Sequence, residues 1–229
     1  MTPRLIRTRD FAAEAARWIL DEILAAITQR GLCRVALSGG NTPGAIHQEM
    51  VRQGASDVRW ERVQFTFGDE RCVPPDAPDS NYRMARESLL DPLAVPAGNV
   101  FRIRGEIAPE VAAREYEEKL AAVAARFTEL RYVHDLVILG MGPDGHTASL
   151  FPNHPALTET ARNVIAITDS PKPPPERVTM TLPVLNAARQ ACFLVTGADK
   201  LPLVEEIVAG RSTLPAALVR PAAVTWITD

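Results

Sequence analysis

The chain has 229 residues, of which 46% are hydrophobic, and its formal net charge is -3 at pH 7. This small charge argues against a large basic surface for nucleic acid, which requires clustered Lys and Arg to displace counterions. No apolar stretch approaches the ~20 residues of a membrane span, so we expect neither nucleic acid nor membrane as a partner. The length suits one large domain or two small ones. Since nothing demands a second, we expect a single α/β domain over residues 1–229.

The number and spacing of the cysteines bear on the cellular compartment of the protein. Cys33, Cys72 and Cys192 are far apart and odd in number, and no two of them form a C-x-x-C pair. This pattern does not suit a disulfide framework and favours a reducing environment. The N-terminal segment is amphipathic, with charges from Asp10 to Asp21, and it has no apolar signal-peptide core. We therefore expect a cytoplasmic protein.

The first predicted element is a helix over 11–27, because apolar residues recur there at helical spacing and Gly31 follows where a left-handed cap is expected. Next, the apolar run 33–37 predicts a strand, which ends in the glycine loop 38–44 before a helical pattern resumes. The same order of strand and polar loop returns along the chain. The further predicted strands are 63–67, 136–139 and 192–195, followed by the loops 68–71, 140–146 and 196–200.

Short apolar strands that alternate with helices are typical of a mostly parallel sheet with helices on both faces. Function in such a sheet gathers at the carboxyl ends of the strands. Because all four polar loops follow strands, we expect them to meet at one edge and to form one site. The proline-rich segment 171–175 predicts a stiff, extended connector, after which 177–180 is again strand-like.

The glycine loop predicts a phosphate cradle, since backbone N–H groups can approach an anion there and the next helix N-terminus adds positive charge. Its residues are Ser38, Gly39, Gly40, Asn41 and Thr42. The loop is neither the dinucleotide G-x-G-x-x-G nor a P-loop, because no G-K-[ST] follows. By itself the segment is equally consistent with a plain tight turn.

The second loop opens with two carboxylates beside a guanidinium, Asp69, Glu70 and Arg71. Such a group could hold a substrate anion or orient hydroxyls, because Arg offers a fixed fork of donors. The alternative is a solvated loop salt bridge, and for these residues alone it is the favoured interpretation.

The third loop, 142–147, reads Gly-Pro-Asp-Gly-His-Thr and carries the sharpest signal. We expect Asp144 to cap a following helix and His146 to lie in its first turn. With an ordinary pKa near ~6.5, an imidazole can accept a proton from water, and Asp144 can orient the ring. The alternative is a histidine satisfied by a backbone cap.

Two cations complete the candidate set. Lys200 follows the fourth strand, at the start of a predicted helix, and Arg177 follows the connector. Either could meet a phosphate or the sugar, although isolated residues of this kind are more often surface charges. We assign no role to His47, His134 or His154. No two histidines stand at zinc-ligand spacing with a third ligand, so we expect no metal site.

Five segments together resemble the 6-phosphogluconolactonase family over essentially the whole chain. The most specific is GMGPDGHTASLFP at 140–152, and the others are LSGGNTP at 37–43, GDERCVP at 68–74, SNY at 80–82 and KPPPERVT at 172–179. The resemblance implies a Rossmann-like sheet similar to that of glucosamine-6-phosphate deaminase and ribose-5-phosphate isomerase. It also implies hydrolysis of 6-phosphogluconolactone in the oxidative pentose phosphate pathway without a cofactor.

The same resemblance implies roles for single residues. His146 is the base, Asp144 its neighbour, and Arg71 lies near the lactone. The loop Ser38 to Thr42, Arg177 and Lys200 contact phosphate and sugar, and we place Asp69 with them. Asn41 departs from the serine common in the family, but an amide can still donate to phosphate. Ser149 has no G-x-S-x-G elbow around it, so we expect no acyl-enzyme.

Two other functions stay open. An amino-sugar phosphate deaminase or isomerase would share the phosphate loop and the D-G-H element, but that family has an acidic residue where this chain has Phe151. A non-catalytic sugar-phosphate sensor would carry an N-terminal helix-turn-helix, whereas residues 1–31 supply one predicted helix. The sequence does not decide between monomer and dimer, or which cation meets the phosphate.

Overall fold

The structure is a computed structural model that describes residues 2–54 and 56–229. Within these residues the strands, in chain order, are β1 (Arg4–Arg7), β2 (Cys33–Leu37), β3 (Val63–Phe67), β4 (Asp69–Arg71), β5 (Leu136–Leu139), β6 (Val164–Ile167), β7 (Arg177–Met180), β8 (Gln190–Val195) and β9 (Ala223–Thr228). The helices are α1 (Phe11–Arg30), α2 (Asn41–Gly54), α3 (Asn81–Ala85), α4 (Pro109–Arg126), α5 (Leu182–Asn186), α6 (Leu201–Val208) and α7 (Pro215–Leu218). A π-helical turn over Arg86–Leu90 extends α3.

The main sheet has six strands in the order β1-β9-β8-β5-β2-β3, and every neighbouring pair is parallel. Parallel neighbours need crossover connections, which the helices supply. Every residue of β2, β3 and β5 is buried, because both faces of the sheet are covered, and this explains why these strands are continuous apolar runs. The predicted mostly parallel α/β fold is confirmed.

A second sheet of three antiparallel strands, in the order β4-β7-β6, adjoins the carboxyl edge of the first. Gly68 joins β3 directly to β4, and its N–H donates to the carbonyl of Leu37 at 2.9 Å. The residues of β4 are therefore held beside the end of β2. Among the residues that the structure describes, no helix is both long and apolar enough to cross a membrane.

The first helix is confirmed and runs three residues past the predicted end, to Arg30. Gly31 takes the left-handed conformation, with φ 75°, and its N–H donates to the carbonyl of Ile27. The predicted helix after Asp144 is wrong. Residues 141–150, all described, form turns in which the N–H and carbonyl groups of Thr147 and Leu150 bond to each other. Ala148 has φ 48°, so its backbone is left-handed and cannot continue a right-handed helix.

Candidate active site

A cavity of about 230 Å³ opens where β2, β3, β5 and β8 end, and it joins the four loops that the sequence singles out. The candidate residues that line it are Ser38, Gly39, Gly40, Thr42, Asp69, Arg71, His146, Arg177 and Lys200. Asp144 lies behind His146 and contacts its ring. The side chain of Asn41 lies outside the described part of the chain.

His146 is held by Asp144. Its Nδ1 lies 2.5 Å from Oδ1 of the carboxylate. A carboxylate can only accept, so this contact assigns the ring proton to Nδ1 and leaves a lone pair on Nε2. The ring packs against Gly142, where an added Cβ would lie 2.1 Å from the imidazole Cε1. It also packs against the ring of Phe151, with centroids 4.8 Å apart.

The electrostatics favour a neutral imidazole beside an ionised carboxylate. Burial lowers the pKa of His146, although the hydrogen bond and charge of Asp144 act in the opposite direction. Burial by itself would raise the pKa of Asp144, but hydrogen bonds from His146 and Lys172 bring that pKa below its ordinary value. The Nζ of Lys172 lies 3.2 Å from the carboxylate oxygen that His146 contacts. At neutral pH, His146 is therefore equipped to act as a base.

Asp69 is 5% exposed, and two side chains donate to it. Ser149 Oγ donates to Oδ2 at 2.7 Å, and Nδ2 of Asn81 donates to Oδ1 at 3.2 Å. Asn81 also lines the cavity and packs on Gly39, where an added Cβ would lie 1.7 Å from the asparagine Oδ1. We assigned Asn81 no role from sequence, although the segment SNY at 80–82 contained it.

Glu70 is an internal anchor. Its carboxylate accepts hydrogen bonds from the backbone N–H groups of Arg71, Asn81 and Tyr82 and from the hydroxyl of Ser80. These bonds tie the start of α3, and with it Asn81, to β4. Asp69 and Glu70 are both buried, so the interpretation of this loop as a solvated salt bridge is wrong.

The two arginines of the site are held differently. Nη1 of Arg71 donates to the carbonyl of Asp79 at 2.7 Å, and its buried Nε has no partner among the described residues. Arg177 is 5% exposed, and its Nε and Nη2 donate to the carbonyls of residues 172, 173 and 174 in the connector. Its guanidinium also lies 5.7 Å from the ring centre of Phe151. Most donors of Arg177 therefore bind protein.

The glycine loop and Lys200 also line the cavity. Ser38 is buried, and its Oγ finds no hydrogen-bond partner in the described part of the chain. Gly40 has φ 106°, which favours glycine and turns the chain into α2. The first turn of α2 contains no acidic residue, so nothing there opposes an anion. Lys200 stands at the cap of α6.

Other lining residues were not predicted as site residues. Besides Asn81 they are Pro43, Gly140, Met141, Gly142, Thr147, Ala148 and Leu194. Most of them belong to the segments that carry the family resemblance. Membership of those segments is the feature that could have identified them. Across 2–54 and 56–229, no three His, Cys, Asp or Glu side chains cluster in a way that could hold a metal ion.

The chain matches the family model described as glucosamine-6-phosphate isomerases/6-phosphogluconolactonase over residues 7–227. Human 6-phosphogluconolactonase is 42% identical over 208 residues, which cover 85% of this chain and 80% of the human one. The 6-phosphogluconolactonase of Synechocystis is 39% identical over 234 residues, covering 98% of this chain and 93% of the relative. A chloroplastic relative from Oryza sativa is 38% identical over 89% of this chain, and the match covers 66% of that longer protein.

Solved structures agree with these relatives. The 6-phosphogluconolactonase from Thermotoga maritima matches with a TM-score of 0.88 and 29% identity over 99% of both chains. The one from Trypanosoma cruzi matches with a TM-score of 0.86 and 32% identity, over 99% of this chain and 94% of the other. The family resemblance seen in the sequence is thereby confirmed. This chain belongs to the glucosamine-6-phosphate isomerase and 6-phosphogluconolactonase family.

Proposed function

We propose that this chain hydrolyses 6-phospho-D-glucono-1,5-lactone to 6-phospho-D-gluconate, a step of the oxidative pentose phosphate pathway. One observation carries the proposal. His146, with its proton fixed on Nδ1 by Asp144, lines the same cavity as the glycine loop and Lys200. A base and an anion cradle thus face one space, as hydrolysis of a phosphorylated ester requires. The named relatives and structures are 6-phosphogluconolactonases, which supports this substrate.

The phosphate binds at the wall formed by the glycine loop and Lys200. Backbone N–H groups at the start of α2 point toward an anion there, and the helix dipole favours negative charge. The hydroxyl of Ser38, which has no hydrogen-bond partner among the described residues, adds a donor, and Lys200 adds a point charge. We place the lactone carbonyl beside His146 and Arg71.

Hydrolysis then follows by general base catalysis. Nε2 of His146 takes a proton from water, and the hydroxide adds to the lactone carbonyl carbon. Arg71 stabilises the negative charge that develops on the carbonyl oxygen. When the tetrahedral intermediate collapses, the bond to the ring oxygen breaks, and the imidazolium returns its proton to that oxygen. Asp144 stabilises the transient imidazolium, as a carboxylate does in triad-like sites.

A direct attack by water is favoured over an acyl-enzyme. Ser149 is the nearest serine to consider, but its hydroxyl donates to the buried carboxylate of Asp69 and not to His146. His146, the proposed base, therefore does not activate it. The lactone is already an activated ester, so the reaction needs no covalent nucleophile.

The deaminase alternative has a specific structural obstacle. Phe151 is 1% exposed, and its ring lies close to both the imidazole of His146 and the guanidinium of Arg177. A phenyl ring cannot relay protons, so the acid expected at this position in an amino-sugar deaminase has no substitute there.

The function is tested by giving the purified protein each substrate in turn. We expect 6-phosphogluconate to form from the lactone faster than by spontaneous hydrolysis, and no ammonia to form from glucosamine 6-phosphate. Ammonia release would favour the deaminase. Binding of phosphogluconate without any turnover of the lactone would favour a sensor.

A further inference from the structure

Lys172, in the proline-rich connector, contacts the catalytic pair from outside the cavity. Its Nζ lies 3.2 Å from Oδ1 of Asp144, the same oxygen that Nδ1 of His146 contacts at 2.5 Å. Within the described residues, this is the lysine or arginine that forms an ion pair with Asp144. We propose that Lys172 is a positioning residue of this site, which keeps the Asp144 carboxylate ionised and directed at His146. This inference rests on the proposed function.

The connector is built to hold Lys172 in place. The hydroxyl of Ser170 donates to the carbonyl of Lys172 at 2.8 Å and accepts from its N–H at 3.2 Å. Nη2 of Arg177 donates to the carbonyls of Lys172 and Pro173, and its Nε donates to that of Pro174. A lysine has a flexible stem, so a fixed backbone is what brings its charge to one carboxylate. Arg177 thereby gains a role that its predicted contact with phosphate or sugar did not include.

The chemistry explains why a cation is useful there. Asp144 must stay ionised, because a protonated carboxyl would donate a hydrogen bond and could no longer hold the proton on Nδ1. The ammonium of Lys172 favours the ionised carboxylate, and it disfavours an imidazolium at His146. Both effects keep Nε2 free to accept a proton from water. Lys172 thus opposes the tendency of Asp144 to raise the pKa of His146.

Four further charged side chains, those of Asp69, Arg71, Arg177 and Lys200, line the same cavity as His146. Of these, Asp69, on β4, acts to raise the pKa of His146. The guanidinium of Arg177, on β7, lies 5.7 Å from the ring centre of Phe151, which also packs on the imidazole. Lys172 and Asp144 are each about one-third exposed, so solvent screens their interaction. The expected effect of removing Lys172 is therefore a shift of the titration and not a loss of the fold.

The test is an NMR titration of His146 in the wild type, Lys172→Met and Lys172→Arg, with the His146 signal assigned by its absence in His146→Asn. We expect the midpoint to move to higher pH in Lys172→Met and to stay in place in Lys172→Arg. The matched control is Lys119→Met. It removes the same charge from a lysine of α4 whose ammonium lies over the ring of Phe101, and it should leave the His146 midpoint unchanged. An unchanged midpoint in Lys172→Met would overturn the proposal.

Kinetics provide the second readout. For a modest shift of the His146 pKa, kcat/KM of Lys172→Met should fall roughly threefold more at about pH 6 than at about pH 7.5. Lys172→Arg should restore the wild-type kcat/KM at both pH values. A loss equal at both pH values, with no recovery in the arginine variant, would indicate a merely structural role. If methionine prevents folding, Lys172→Gln carries the same prediction. The NMR titration needs no substrate, so it tests Lys172 even if the wild type proves not to be a lactonase.

Discussion

The hydroxyl of Ser149 donates a hydrogen bond to a carboxylate oxygen of Asp69 over 2.7 Å, and both side chains are buried. This bond joins the loop after β5 to β4, so it ties the His146 loop to the second sheet. It also directs the Ser149 hydroxyl to Asp69 and not to His146.

Replacing Ser149 with alanine should therefore cost stability and leave catalysis in place. Asp69 would lose a donor while remaining buried, and we expect the free energy of unfolding to fall by about 1–3 kcal/mol. Hydrolysis of the lactone should decrease by less than about tenfold, because the proposed mechanism forms no covalent bond to this oxygen. Urea unfolding and steady-state kinetics measure the two effects. An exposed serine, Ser56→Ala, is the control. Loss of activity without loss of stability would contradict a purely structural role for Ser149.

Asp144→Asn tests the partner of the base. The amide keeps the shape of the side chain but removes the charge, which acts to raise the pKa of His146. In the wild type, activity should fall as the pH drops through a His146 pKa that lies below the ordinary histidine value. The variant should lose about 10²- to 10⁴-fold in kcat, and its acid limb should move to still lower pH. A pH profile of kcat/KM measures this. Movement of the limb to higher pH would contradict the assignment.

The close approach of Gly39 to Asn81 gives a steric test of the phosphate cradle. An alanine Cβ at position 39 would lie 1.7 Å from Oδ1 of Asn81, so one of the two must move. We expect Gly39→Ala to raise KM at least about tenfold and to lower stability by about 1–3 kcal/mol. Gly44, in α2, is a matched control, since an added Cβ there meets nothing within 4 Å. Equal behaviour of the two variants would show that the contact is unimportant.

Two buried histidines outside the site predict how stability depends on pH. Burial lowers the pKa of His47 from 6.5 to about 4 and, with the nearby Arg34, that of His134 to about 3. The unfolded chain binds these protons below pH 6.5, whereas the folded chain binds them only near pH 4 or lower. Stability should therefore fall as the pH drops from 6.5 toward 4, by up to about 1.4 kcal/mol per pH unit for each histidine.

Urea unfolding of His47→Gln at about pH 5 and about pH 7 checks this, since the variant should show a smaller difference in unfolding free energy than the wild type. His47 contacts Ser88 at 2.8 Å, and glutamine can still donate or accept there. A difference as large as that of the wild type would mean that His47 does not contribute.

Sequence reasoning found β2, β3, β5, most of β8 and the loops that follow them, because parallel strands covered on both faces are continuous apolar runs. It did not find β1 or β9 of the main sheet, and in the second sheet it found only β7, as the strand-like segment 177–180. β4 has three residues, Asp69–Arg71, all charged, and such a short strand has no periodicity to read. The prediction of a helix after Asp144 was wrong because Ala148 takes a left-handed conformation, which the sequence around it did not indicate.

Within the site, residues that belong to a distinctive sequence segment were predictable. Residues that act through contacts with parts of the chain far away in sequence were not. His146 and Asp144 are two residues apart, so their contact is local. Lys172 lies 28 residues from Asp144, and only the folded connector brings the two together. The buried network around Glu70 likewise depends on how α3 packs against β4, which no local pattern in the sequence specifies.

The most direct measurement is the rate of lactone hydrolysis by His146→Asn, corrected for the spontaneous reaction. The amide keeps much of the shape of the imidazole but cannot accept a proton, so kcat/KM should fall about 10²- to 10⁴-fold while phosphogluconate still binds. His154→Asn, whose side chain does not line the cavity and pairs with Asp169, should retain full activity. Hydrolysis by His146→Asn at the wild-type rate would contradict the role of this histidine as the base.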